Sequence, residues 1–172
     1  IDVPYAIPHL RVEVVRDEPP AVPTGFWRGV GPNNNVFAIE SFIDELAKKV
    51  GKDPVEFRRG MLTKVPRLLG ALNLAAEKSG WGKKKGADGK LVAQGFSVYF
   101  SHRSYVAQVG EAVMQKGKPV LQKVYSAADC GVIINQSGSQ QQVRGCIVDG
   151  IGHAMYGHIT FKDGVPQQKN FN

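Results

Sequence analysis

Cysteine is scarce here: the 172-residue sequence has two, Cys130 and Cys146. Their placement fits neither a disulfide scaffold nor a Cys-x-x-Cys metal or redox site, so it leaves the redox compartment unread, and both are expected to pack as small apolar residues. Histidine is nearly as rare. His153 and His158 miss the spacing of three or four that sets two ligands on one helical face, while His9 and His102 are isolated, so no metal site is expected. Each histidine reads as a surface or hydrogen-bonded residue. Gly-x-Ser-x-Gly is absent, which removes support for a serine hydrolase, and so is the G-x-G-x-x-G of dinucleotide binding. No stretch approaches the ~18 uninterrupted apolar residues of a spanning helix, so no membrane span is expected. The opening Ile1-Asp2-Val3-Pro4-Tyr5 has neither the basic start nor the apolar run of a signal peptide. An N-terminus made by cutting or processing is the expectation.

What is present describes a globular piece. A hydrophobic content of 42% with 22% charged residues suits one core, and the length suits one domain or a lobe of a larger one. The formal charge is +7, but the one dense basic run, Lys83-Lys84-Lys85 before Gly86-Ala87-Asp88-Gly89, reads as a solvated loop. Elsewhere Lys and Arg alternate with acids. No nucleic acid is expected as partner, and the charge suits an acidic partner or an absent part of the same protein equally well.

Residues 10–15, with Val12, Val14 and Val15, have the β-branched content of a short strand stopped by Pro19-Pro20. A loop rich in Pro and Gly follows. Val36, Ile39, Ile43, Leu46, Ala47 and Val50 then recur at helical spacing over residues 36–50, capped by Asn33, Asn34 and Asn35 and closed by Gly51. Ile39, Ile43 and Leu46 are expected to be its buried face. Asp53-Pro54 opens a second helix to about Leu62, and a third runs from Pro66 to Gly80. Residues 92–100, 105–114 and 120–127 are strand-like, the last two joined by a hairpin at Gly117-Lys118-Pro119. Residues 140–155 read as a helix, and residues 159–161 with Val165 as a closing hairpin around Asp163-Gly164. Helices first and strands later predict an α+β fold, a mixed β-sheet covered by helices.

Two segments can carry chemistry. In Gly25-Phe26-Trp27-Arg28-Gly29-Val30-Gly31, the glycines Gly29 and Gly31 permit close approach of a flat or phosphorylated ligand, and Arg28 adds a planar cation just before a helix N-terminus. The same pattern also serves as a purely structural turn. In Asp129-Cys130-Gly131 followed by Asn135, Gln140-Gln141-Gln142, Gly145, Gly150 and Gly152, an amide such as Gln142 offers both donor and acceptor, which suits the mixed edge of a pterin ring. On spacing alone, helix capping and close packing against Gly145, Gly150 and Gly152 is the favoured reading of this segment.

Taken in order, these motifs resemble the molybdopterin-binding large subunit of the xanthine dehydrogenase and aldehyde oxidase family. The run Gly25 to Gly31, then Glu40-Ser41-Phe42-Ile43-Asp44-Glu45-Leu46-Ala47, Gly51-Lys52-Asp53-Pro54-Val55-Glu56-Phe57-Arg58, and Asp129-Cys130-Gly131 with Asn135, Gln142, Gly145 and Gly152 carry the likeness. Trp27 before Arg28, the helix text from Phe42 to Ala47, and Asn170-Phe171 look most like the beta subunit of the isoquinoline 1-oxidoreductase branch. The likeness implies that residues 1–172 are a single partial lobe of the molybdenum-cofactor-binding domain, truncated at both ends.

It further implies a molybdopterin, often as its cytosine dinucleotide, and electron transfer to a two-iron two-sulfur small subunit. The implied reaction is hydroxylation of an N-heterocycle or oxidation of an aldehyde with water as oxygen donor. Arg28 matches the arginine beside the substrate, a catalytic role through charge stabilisation. Trp27, Gly29, Gly31, Gln142 and Gly145 match cofactor-binding positions. Gln136 stands where Pro is usual, Arg144 where an acid is common, and Gly29 is not the Cys of the copper-carrying carbon monoxide dehydrogenase branch. The family's catalytic Glu and two cofactor loops are expected in the missing remainder of the large subunit. The isolated chain is therefore expected to hold no cofactor and catalyse nothing. The alternative is a non-catalytic interaction or structural module of the same fold. Glu111 follows Gly110 but reads as sheet surface.

Overall fold

The first three helices each begin on a proline: α1 spans Pro32–Lys49, α2 Pro54–Met61 and α3 Pro66–Ser79. Proline suits that position because its φ is preset and its missing N–H would have had no partner there. The computed structural model describes residues 3–18, 22–86 and 92–169, so Pro19-Pro20, Ala87-Asp88-Gly89 and Asn170-Phe171 lie outside it. At α2 the Asp53 carboxylate accepts from the Val55 and Glu56 amides at 2.9 and 3.0 Å. At α1 the expected Asn cap does not form. Pro32 fixes the first helical position, which makes Gly31 the cap and puts all three asparagines inside the helix, Asn35 donating from Nδ2 to the Gly31 carbonyl at 2.8 Å. Gly80 ends α3 in the left-handed region at φ 62°, as a C-terminal glycine should.

Chain contacts divide the molecule into two units, Ile1–Leu10 with Gly31–Val132, and Arg11–Val30 with Ile133–Asn172. The first unit carries α1 to α3 and a sheet of β1 (Ala93–Ser101), β2 (Ser104–Gln115) and β3 (Lys118–Asp129) in the order β1-β2-β3. Within the described residues the sheet is antiparallel throughout, where a mixed sheet was expected. The reason is the connections: two-residue turns join the strands, and a parallel pair needs a crossover of a dozen residues or more. The turn residues His102-Arg103 (φ 50° and 63°) and Lys116-Gly117 (φ 50° and 75°) all have positive φ, as type I′ turns require. The second turn sits one residue earlier than the sequence suggested, which moves Lys118 and Pro119 into β3.

The helices cover one face of the sheet. Phe96 and Val98 of β1 stand opposite Val109 and Ala107 of β2, and Ala107 stands opposite Ala127 of β3, a buried row under Leu68, Leu72 and Ala75 of α3. On α1 the buried positions are Glu40, Ile43 and Ala47. Ile39 packs partly against the core, but Leu46 is only half-buried. Glu40 belongs to a buried polar cluster with Tyr5 and Arg58. Tyr5 donates to its Oε1 at 2.6 Å, Arg58 Nε to its Oε2 at 3.0 Å, and the Val98 amide to the same Oε2 at 2.8 Å. Burial raises the Glu40 carboxyl above the usual range, against the pull of Arg58 and these donors.

The second unit holds α4 (Gln136–Met155) and the hairpin β4 (Phe161–Lys162) and β5 (Val165–Pro166), turning at Asp163 and Gly164 with φ 51° and 77°. Helix α4 starts four residues before the expected Gln140 because Asn135 accepts from the Gly138 amide at 2.9 Å and so supplies the cap. Residues 10–15 form no strand. Val14 and Val15 are 79% and 89% exposed, and β-branched content without a pairing partner or a buried face does not fix one. Cys130 and Cys146 are exposed rather than packed.

Candidate functional site

The turn that carries Arg28 is built by its glycine. The Val30 amide donates to the Trp27 carbonyl at 2.8 Å, closing four residues with Gly29 third in line at φ 94°. That position of a type II turn needs positive φ, which a side chain resists. Val30 follows at φ 57°, an uncommon value for a β-branched residue. Trp27, Arg28 and Val30 are exposed, and Phe26 is 90% exposed. Gly31 lies across the division, as the cap of α1 in the first unit.

Trp27 has a partner that the sequence did not suggest. Its indole Nε1 donates to Nε2 of His153 on α4 at 3.3 Å, and the two rings meet edge to face with centroids 5.5 Å apart. Asp149, one helical turn earlier, places Oδ1 at 3.8 Å from the same imidazole nitrogen. Metal-ligand spacing, the sequence criterion for a histidine, cannot find a contact between residues this far apart in the chain. Gln142 and Gly145 lie on the same helix and are exposed, and no residue of α4 is buried. A Cβ at Gly145, Gly150 or Gly152 would meet nothing within 4 Å. Close helix packing among the described residues therefore does not explain these glycines. An exposed amide such as Gln142 can both donate and accept, and the Arg28 turn carries a planar cation.

The start of the second motif has a structural duty. Arg67 holds Asp129 through two bonds, Nε to Oδ2 at 2.8 Å and Nη2 to Oδ1 at 2.6 Å, and the Gly131 amide adds a third at 3.2 Å. Arg67 and then the Gly131 amide bring the Asp129 carboxyl down to about 2. Glu111 is buried rather than on the sheet surface. Lys84 reaches both its oxygens at 2.8 and 2.7 Å and the Tyr125 hydroxyl at 2.9 Å, so the middle lysine of the basic run is not simply solvated. Burial works to raise the Glu111 carboxyl, but Lys84 and Gln94 hold it below its ordinary value. A hollow of about 300 Å³ in the first unit is lined by Arg67, Leu74, Ala127 and Asp129. Of the two candidate segments only Asp129 reaches it, and none of Trp27, Arg28, Gly29, Gly31, Gln142 or Gly145 lines it. Among the described residues no three His, Cys, Asp or Glu side chains converge as a metal site would need, and no helix is long and apolar enough to cross a membrane.

Comparison with known proteins gives these features a context. Two models, each described as a molybdopterin cofactor-binding domain, match residues 1–62 and 40–172. The beta subunit of isoquinoline 1-oxidoreductase from Brevundimonas diminuta is 28% identical over 172 residues, which is 99% of this chain and 22% of that protein. A nicotinate dehydrogenase subunit from Pseudomonas putida is 27% identical over 184 residues, 98% of this chain and 15% of that protein. A probable xanthine dehydrogenase subunit from Bacillus subtilis is 39% identical over 69 residues, 40% of this chain and 9% of that protein. The chain thus spans 22% and 15% of the length of the first two relatives.

Proposed function

The chain belongs to the molybdopterin cofactor-binding domain family of the molybdenum hydroxylases, and from that premise we propose that it forms one wall of the cofactor and substrate cleft in a large subunit oxidising N-heterocycles or aldehydes with water as oxygen donor. The observation that carries this reading is the second unit, where the Arg28 turn and the unburied helix bearing Gln142 and Gly145 belong to one compact body. Gln142 would hold the polar edge of a molybdopterin, in its cytosine dinucleotide form. Trp27, Gly29 and Gly145 would give that group access to turn and helix backbone. When bound, the cofactor supplies the redox chemistry, and electrons pass on to a two-iron two-sulfur partner subunit.

Arg28 has the chain's own chemical task. A guanidinium is permanently charged and planar, so it can face an oxygen of the substrate and stabilise negative charge as it develops there. Its contribution grows toward the transition state, which makes it a term in turnover more than in affinity. The isolated chain supplies one wall and, on this reading, neither retains the cofactor nor turns over substrate. Molybdenum and pterin analysis after gel filtration, for this chain and for the complete subunit, tests the proposal. The expected result is stoichiometric molybdenum in the complete subunit and none in this chain. A complete subunit that assembles without molybdenum would favour the interaction module.

A further inference from the structure

Arg28 stands on an exposed turn, and the structure gives that turn an anchor: we propose that His153 is a positioning residue that holds the Trp27 indole and thereby fixes the corner from which Arg28 projects. The inference rests on the reading of Arg28 as a substrate-facing group. Trp27 is both the first residue of the turn, accepting from the Val30 amide at 2.8 Å, and the neighbour of Arg28 in sequence. Its indole is tied to α4 by one directional bond of 3.3 Å and one ring contact. Such a tie restricts the first corner of a turn that otherwise has little burial to hold it, since Phe26 and Trp27 are 90% and 65% exposed. Held in one geometry, an arginine meets a substrate without first losing the freedom of its backbone.

The tie depends on a proton. Nε2 accepts the indole N–H only while it is unprotonated, with the ring proton on Nδ1. Protonation turns Nε2 into a donor, which opposes the indole N–H and favours the Asp149 carboxylate at 3.8 Å. Asp149 is the charged group placed against the imidazole.

Two tryptophans make the contact observable in the chain as it stands. In ¹H–¹⁵N spectra the Trp27 indole signal, assigned by Trp81→Phe, is expected at a hydrogen-bonded position. His153→Phe, which keeps a ring edge but no acceptor, should lose that position. His153→Gln, which restores an acceptor, should regain it. In the complete, loaded subunit His153→Phe should lower turnover roughly tenfold with KM little changed, and His153→Gln should recover most of it. An indole signal identical in wild type and His153→Phe overturns the contact. A changed signal with unchanged turnover, while Arg28→Lys still impairs turnover, overturns the positioning role. If Arg28→Lys is itself harmless, the underlying reading of Arg28 is what fails.

Discussion

Arg58 binds Glu40 through both side chain and main chain, with Nε to the carboxylate at 3.0 Å and Nη2 to the carbonyl oxygen at 2.9 Å. Its remaining donors reach Asp44 at 2.5 Å and the Pro54 carbonyl at 3.2 Å, so one fully buried guanidinium joins α1 to the start of α2. Arg58→Ala leaves a buried carboxylate without its counter-charge and is expected to cost about 3 to 5 kcal/mol. Tyr5→Phe removes two bonds from the same cluster, the donation to Glu40 and the one accepted from Arg58 Nε at 3.1 Å, and should cost about 1 to 3 kcal/mol. Urea midpoints at constant slope measure both. Near-equal losses would mean that the charge pair is not the dominant member.

Leu72 is fully buried between α3 and the sheet, whereas Leu46 is half-buried on α1. Leu72→Ala should therefore cost about 2 to 5 kcal/mol. Leu46→Ala should cost clearly less. Thermal and denaturant unfolding rank the two, and a larger loss at Leu46 would move the core away from α3.

Asp129 titrates at about 2 because Arg67 and the Gly131 amide favour its charged form, against about 3.9 for an unfolded aspartate. A depressed folded value gives stability that is complete above the unfolded value and is lost as pH falls through the folded one. The stability difference between the native chain and Asp129→Asn should hence be constant above about pH 5 and shrink between about pH 4 and 2. Denaturant midpoints across that range measure it. Parallel curves for the two proteins would say that the Arg67 pair contributes nothing at this exposed site.

Arg28→Lys keeps the charge and loses the fork geometry. In the complete, cofactor-loaded subunit turnover should fall by roughly a hundredfold or more, with the effect mainly on kcat. The isolated chain should keep its stability within about 0.5 kcal/mol, as surface substitutions do. Loss of stability without loss of turnover would assign Arg28 to structure.

How much of this was written plainly in the sequence depends on range. The starts at Asp53-Pro54 and Pro66 and the stop at Gly80 are local chemistry, and the helices run from Pro54 and Pro66 as that chemistry demands. The asparagine cap failed because Pro32, one position earlier, already set the helix geometry. The strand at residues 10–15 failed because propensity was judged without a partner. Nothing local predicts that Tyr5, Glu40, Arg58 and Val98 meet, since each looks like an ordinary surface or sheet residue until the fold assembles them. The two candidate segments stood out by their glycines, Arg28 and amides before any likeness gave them roles, and local sequence says nothing of Trp27 and Gln142 sharing one unit. His153 is the surface, hydrogen-bonded residue expected, but its partner was out of reach for the same reason as those of Arg58, lying 126 positions away.

The carboxylate of Glu40 also gives the sheet two unlike borders. On β1, an outer strand, the Val98 amide is already occupied by Glu40. The other outer strand, β3, carries Lys118, Pro119 and Lys123 and a register shift opposite Glu111 and Ala112 in its first half, features that discourage pairing between molecules. Its second half, from Val124 to Ala128, has no such guard. A sheet that can be extended from one side alone terminates after a single addition. Folded chains pairing through that edge at high concentration would then stop at pairs, because fibres require every added molecule to offer a second open edge.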